Sequence, residues 1–324
     1  MIRKRDGIHV RLSDGRTVVA DARSAVGDAS VVSHAHSDHA PRSARAAVCS
    51  PLTAALVRAR SGVSLDHVAA TPEISLLPSG HVLGSRAALV TDPDGTRYLY
   101  TGDVSTRDRG YVRGFDPVAA DVLIVESTYG RPEYRFPPQA ALEAEIADWI
   151  EDHPRTPLFL FGYSLGKAQK LQHLVGAATN RRVLVHDSVA AVNEVIESET
   201  DLRFQSVPLS AVDRPEPDDV VVAPPGFARS EWVERYAERL GALTAGFSGW
   251  AADDSYRYRF GYDAAFVLTD HCDFDELVSL VAAVDPERVY TNHGFAEEFA
   301  DHLAGALDFD AVALKRNQTT LGEF

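Results

Sequence analysis

Through the first third of the chain, short apolar runs alternate with polar turns, and each run is of strand length. Residues 16–20, 29–33 and 46–49 read as strands. Pro51 opens a helix through about residue 60, because proline suits the first helical turn. Residues 87–90 and 97–100 flank Asp92-Pro93-Asp94-Gly95, in which proline fixes φ and glycine permits a positive φ, so the two form a hairpin. Residues 121–125, Asp-Val-Leu-Ile-Val, form a continuous apolar run of the kind found in strands buried on both faces.

From about Gly130 the rhythm changes to strand, helix, strand, helix. A helix opened by Pro138 carries Leu142, Ile146, Trp149 and Ile150 on one face. Strands at 158–161 and 183–186 alternate with helices at 166–178 and 189–199, a βαβ order that implies a partly parallel sheet. Residues 203–219 hold three prolines and several acids and read as an irregular connection. A strand at 265–268, a helix at 274–283, a strand at 288–291 and a last helix from Phe295 follow. No internal repeat or low-complexity tract interrupts this pattern.

Composition narrows the class. The hydrophobic fraction of 45% over 324 residues supports one large or two medium cores. No apolar run reaches the roughly 18 residues of a membrane span, and the opening Met-Ile-Arg-Lys-Arg-Asp leads into alternating polar sequence. The expectation is a cytoplasmic protein with no membrane partner. Cys49 and Cys272, the two cysteines, form no C-x-x-C pair and do not suggest a disulfide scaffold. The net charge of −15 opposes a nucleic-acid partner, since phosphate binding draws on clustered Lys and Arg. Lysine is nearly absent, however, at positions 4, 167, 170 and 315, while Asp, Ala, Val and Arg abound. That pattern resembles acidic surfaces adapted to high salt, so the charge reports the solvent and leaves the substrate open.

The strongest chemical signal is His34-Ala35-His36-Ser37-Asp38-His39, directly after an apolar run. Three imidazoles and a carboxylate at a strand end suit zinc and its neighbours. A turn there can send His34 and His36 toward one ion while Asp38 and His39 reach a second. Six residues do not complete two coordination shells, so further ligands are expected at other strand ends. His81 is followed by small residues that let backbone approach closely, Asp103 ends the 97–100 run as a carboxylate able to bridge two ions, and His293 ends the 288–291 run. Each has an alternative taken singly: a polar loop for the first cluster, a core histidine for His81, a turn residue for Asp103. In combination and in this order, those alternatives lose their weight.

With these residues in place, the chain resembles the metallo-β-lactamase superfamily, whose H-x-H-x-D-H signature is matched in full at residues 34–39. More narrowly it resembles the β-CASP nuclease branch. There, an acid after a buried strand is matched by Glu126, and two later histidines are matched by His271 and His293. A Gly-Lys/Arg-Ala-Gln helix start is matched by Gly166-Lys167-Ala168-Gln169. Within the branch the likeness is greatest to ligase-associated DNA 3′-exonucleases and archaeal mRNA 3′-end processing factors, and it runs through most of the chain. The resemblance implies an α/β fold: an αββα metallo-β-lactamase sandwich over residues 1–129 and 265–324, with an inserted α/β β-CASP-like domain over 130–264.

The resemblance also implies a site. One ion is held by His34, His36, His81 and Asp103, the other by Asp38, His39, Asp103 and His293. Two zinc ions, or manganese, acidify a water that attacks the phosphorus, so no side chain is the nucleophile. His271 is the candidate general acid, oriented by Glu126. Asp21 and Asp270 are candidates for holding ligand imidazoles. For substrate, Ser164 and Lys167 stand at a helix start that favours phosphate, while Ser248 and Trp250, with Arg257 and Arg259, offer a ring and cations. Asp253 and Asp254 make this last stretch less basic than the resemblance leads one to expect.

The function so implied is phosphodiester hydrolysis in nucleic acid. DNA is favoured over RNA, with a DNA ligase as a possible partner and RNA processing as the alternative. A small-molecule lactonase or thioesterase on the same scaffold would lack the long insertion and the Glu126/His271 pair. A non-catalytic subunit would have lost ligands that stand here.

Overall fold

The computed structural model describes residues 1–315, which divide into two compact units. The first comprises Met1–Arg135 together with the chain from His271, and the second is Phe136–Asp270.

The first unit is built on two six-stranded sheets. One runs in chain order through Ile2–Arg5, Gly7–Arg11, Thr17–Ala20, Ala29–Val31, Arg45–Val48 and Leu65–Val68. The other has the order Ala311–Ala313, Arg288–Asn292, Val122–Glu126, Arg97–Tyr100, Arg86–Thr91 and Ile74–Pro78. Alternating apolar positions explain how they face each other: Ile8, Val10, Val18 and Val31 from the first sheet share a core with Ile74, Ala88, Val90 and Ile124 from the second. Helices Phe274–Val284 and Ala296–Leu307 cover the other side of the second sheet, through Leu277, Val281, Phe299 and Leu303 on Leu123, Val125 and Val289. Helix Pro51–Ser61 covers the first through Ala54 against Ala47, with Ser50 as its N-cap. The order of layers is α, β, β, α, and the fold class is the mixed α/β sandwich.

The register of the second sheet assembles a site. Arg97–Tyr100, Val122–Glu126 and Arg288–Asn292 lie parallel, with Ile124 opposite Tyr100 and Glu126 opposite Asn292. Their carboxyl ends therefore meet at one edge, the place where parallel α/β sheets bind ligands. Thr101 to Asp103, Glu126 and His293 all emerge there.

The second unit is one fully parallel sheet in the order Ser206–Pro208, Val183–Val185, Val220–Ala223, Leu158–Phe161, Leu243–Phe247, Ala264–Phe266. Its two middle strands, Leu158–Phe161 and Val220–Ala223, are apolar at every position because both faces are covered. Leu158, Leu160, Val220 and Val222 pack under helices Gln139–Glu151 and Lys167–Ala178, and Phe159, Phe161 and Val221 face Val233 and Tyr262 on the other side.

One expectation is corrected here. Residues 203–219 are not wholly irregular, because Ser206–Pro208 pairs parallel to Val183–Val185. Pro208 is tolerated since this strand is the edge of the sheet, where a missing N–H breaks no ladder. Among the described residues, no helix is long and apolar enough to cross a membrane.

Candidate metal centre

The strand Ala29–Val31 is short because its continuation turns away from the sheet to carry His34, His36, Asp38 and His39. What fixes this turn is Asp21, a buried residue at φ 51°. Its Oδ1 accepts the Ser33 N–H at 2.7 Å, and its Oδ2 accepts Ser33 Oγ, the Tyr100 hydroxyl at 2.8 Å and His39 Nδ1 at 2.8 Å. Asp21 thus supports the ring of His39, as its sequence position suggested.

His34, His36, His81 and Asp103 converge, each offering one ligand atom within 4.8 Å of the others. His34 Nε2 and His81 Nε2 each lie 3.1 Å from His36 Nδ1. Asp103 divides its two oxygens: Oδ2 is 3.4 Å from His34 Nε2 and 3.5 Å from His81 Nε2, whereas Oδ1 is 3.5 Å from His39 Nε2. On the His39 side, Asp38 Oδ2 stands 3.7 Å from His39 Nε2, and the His293 ring is centred 5.4 Å from that of His39. His293 adopts φ 62°, held by the Ser127 hydroxyl on its carbonyl at 2.8 Å.

The electrostatics separate these groups. Burial, then the neighbouring His39, His81, His36 and His271, hold His34 well below the usual imidazole range, so it presents a neutral nitrogen. Burial also lifts Asp103, to about 6, against the pull of His39. His39 behaves oppositely: burial opposes its charge, but Asp103 and Asp21 raise it to about 10.

Beside this cluster, Glu126 and His271 are paired. His271 Nδ1 lies 2.7 Å from Glu126 Oε1, the carboxylate also accepts the Thr128 N–H at 2.8 Å and the Val104 N–H at 3.3 Å, and the His271 ring is centred 4.6 Å from that of His81. Burial disfavours the Glu126 charge, yet the adjacent His271 and these hydrogen bonds hold the carboxyl at about 2. Glu126 is therefore an anion that orients an imidazole toward the histidine cluster.

Two arginines that sequence reasoning missed hold this frame. Arg109, 2% exposed, donates to the carbonyls of Gly80 and His81, and Arg107 pairs with Asp273 and Glu276 beside His271. Both sit in Arg107-Asp108-Arg109-Gly110, which reads as a solvated turn, and nothing in the pattern marks it as buried.

The remaining expected residues lie in the second unit. Asp270 is buried, ion-paired to Lys170 and 3.4 Å from Lys167. Lys167 is itself buried, and its Nζ also sits 4.8 Å over the Tyr163 ring. Ser164 Oγ is 2.9 Å from Ser188 Oγ, Ser248 Oγ accepts the Trp250 N–H at 3.3 Å, and Trp250 is partly exposed. Arg257 and Arg259 are exposed, with Arg257 5.1 Å from the Tyr258 ring centre.

No family model matches the chain. Individual relatives do. The chain is 38% identical over 293 residues to the "Probable DNA ligase" of Opitutus terrae, a match covering 85% of this chain and 27% of that protein. It is 36% identical over 102 residues to the "RNase J-like protein" of Methanocaldococcus jannaschii, covering 29% of this chain and 23% of that one. The chain belongs to the metallo-β-lactamase β-CASP nuclease family. The matched segments span about a quarter of the length of each of these family relatives. A crystal structure of a protein of unknown function from Enterococcus faecalis shares the β-CASP chain's fold at TM-score 0.59 and 16% identity, over 83% of this chain and 76% of that one. Family membership implies use of a divalent metal, and the His/Asp clusters can hold one.

Proposed function

We propose that the protein is a dinuclear metal-dependent nuclease that acts as a DNA 3′-exonuclease, trimming ends that a DNA ligase joins. One observation carries the dinuclear reading: Oδ2 of Asp103 faces His34 and His81, whereas Oδ1 faces His39. The donor set fits zinc, and manganese as a substitute, because it combines imidazole nitrogens with carboxylate oxygens and includes a His34 kept neutral by its surroundings. His34, His36, His81 and Asp103 would hold one ion; Asp38, His39 and His293, with Asp103 shared, would hold the other. When bound, such a pair of ions acidifies water and neutralises charge that builds on a phosphate. His271 delivers a proton to the leaving oxygen, and the Glu126 anion keeps the ring oriented and favours its charged form. Ser164, Lys167, Ser248 and Trp250 are assigned to the nucleic-acid strand.

DNA is favoured by the extent of the match to the Opitutus protein, which is named as a probable DNA ligase and aligns over 85% of this chain. RNA processing is the second reading, favoured by the RNase J-like relative. Matched 5′-labelled DNA and RNA strands incubated with the purified protein and zinc or manganese separate the two. Progressive shortening of DNA from its 3′ end is expected; cleavage of RNA alone would overturn the preference for DNA.

A further inference from the structure

At one end of the sandwich of the first unit, the outermost strand of the first sheet, Ile2–Arg5, and the edge pair of the second, Arg288–Asn292 and Ala311–Ala313, leave a recess of about 670 Å³. Every residue lining it belongs to that unit. Ile2, Tyr290 and Leu314 form its floor, since they pack against the core between the sheets. Its charged side chains are four cations, Arg3, Lys4, Arg288 and Lys315, against two acids, Glu297 and Asp301. In a chain of net charge −15 this balance is reversed locally, and the two lysines of the first unit both stand here. Lys315 pairs with Glu297 at 2.8 Å and Arg288 lies 3.4 Å from Asp310, but all four side chains are about half exposed, and such pairs gain little over their contacts with water, so an incoming anion can displace them.

The recess leads to the metal centre. The strand Arg288–Asn292 runs along it and delivers His293 just beyond its end, and the charge of Lys4 is felt at that ring: burial, His39 and then Lys4 push the His293 imidazole down to about 4. Between Arg288 and Asn292 the strand covers roughly 13 Å. Midway stands Tyr290, half-buried, with the Arg288 guanidinium 5.6 Å from its ring centre. Cations beside an aromatic face form the arrangement that holds single-stranded nucleic acid without regard to sequence, the cations on phosphates and the ring on a base. We propose that this recess holds the substrate strand beyond the scissile phosphate, with Lys4 at its metal-centre end, Arg288 at its far end and Tyr290 as the stacking face between them. The inference rests on the nuclease reading for the scissile phosphate, whereas the capture of a strand does not depend on cleavage. Because these side chains touch no reacting atom, they contribute to binding and leave the chemical step alone.

The test measures binding of a fluorescent single-stranded DNA with phosphorothioate linkages, which keep the charge and resist hydrolysis, to the zinc-loaded full chain by anisotropy between about 50 and 200 mM salt. Each lost phosphate contact lowers the slope of log affinity against log salt by about 0.7, so Lys4→Gln/Arg288→Gln is expected to lower it by about 1.4. A second pair, Arg288→Gln/Lys315→Gln, changes two half-exposed side chains and gives the same reduction if the first fails to fold. Arg235→Gln/Arg239→Gln, on the exposed side of the helix Glu231–Leu240, makes the same change of net charge elsewhere and keeps the wild-type slope. On the ordinary 5′-labelled strand, the recess variants raise KM about 10-fold with kcat unchanged, the signature of lost uniform binding. A wild-type slope in the recess variants, an equal loss in the control pair, or no binding by the wild-type protein overturns the proposal. A wild-type protein that binds the strand through the recess but cuts neither nucleic acid sinks the nuclease reading and leaves the recess standing.

Discussion

Glu126 and His271 stand 145 residues apart in the chain and 2.7 Å apart in space, carboxylate oxygen to Nδ1. The carboxyl, held at about 2, stays ionised, so the ring keeps Nδ1–H toward it and turns Nε2 away. On the proposed reading His271 is a proton donor and not a metal ligand. His271→Ala is expected to retain the wild-type metal content, measured by mass spectrometry, while kcat falls by about 10²- to 10⁴-fold, the usual contribution of a general acid. Loss of metal in that variant would reassign His271 to the ligand set.

Asp103 is predicted to matter to both ions. Asp103→Ala removes the oxygen near His34 and His81 together with the one near His39. Metal content is expected to fall to less than half of wild type, whereas His293→Ala, at the His39 end alone, leaves one ion tightly held. Equal metal loss in the two variants would contradict a shared carboxylate.

Metal loading is expected to release a proton. In the metal-free protein His39 is raised to about 10 by Asp103 and Asp21, above its ordinary 6.5, so it is protonated at neutral pH. A ligand imidazole must be neutral, and loading between about pH 6.5 and pH 10 therefore displaces this proton. Zinc titrations at pH 7.5 in buffers of different ionisation enthalpy are expected to give about one proton released at this residue, with affinity rising with pH. His39→Gln abolishes that release; a release unaffected by the variant would place the proton elsewhere.

The two cysteines are expected to be inert in the folded protein. Burial raises Cys49 to about 12 and pushes Cys272 higher still. The thiolate is the reactive form, so a disulfide reagent at pH 8 should titrate neither thiol in the native protein and both in denaturant. Rapid modification of the native protein would mean that one of the two sites opens.

How far the sequence already carried this picture depends on how local each signal is. The cluster His34 to His39 is contiguous, and a strand ending in four ligand-type residues needs no tertiary knowledge to be noticed. Asp103, Glu126 and His293 were legible because each closes an apolar strand, and parallel register brings such ends to one edge. Arg109 was not, since a buried guanidinium serving the carbonyls of Gly80 and His81 looks the same in sequence as any turn arginine. The burial of Lys167 and Asp270 was hidden for a related reason. The helix Lys167–Ala178 is buried around most of its circumference, so its polar residues follow partners distant in sequence and not an amphipathic stripe. The edge strand Ser206–Pro208 was hidden by its proline, which an edge tolerates and a central strand does not.

The central claim is that seven side chains, His34, His36, Asp38, His39, His81, Asp103 and His293, hold a pair of cations with Asp103 between them. Anomalous diffraction at the zinc edge from crystals grown with zinc tests it most directly. The account predicts two peaks, one on the His34 and His81 side of Asp103 and one on the His39 and His293 side. A single peak away from Asp103, or none at saturating zinc, would contradict it.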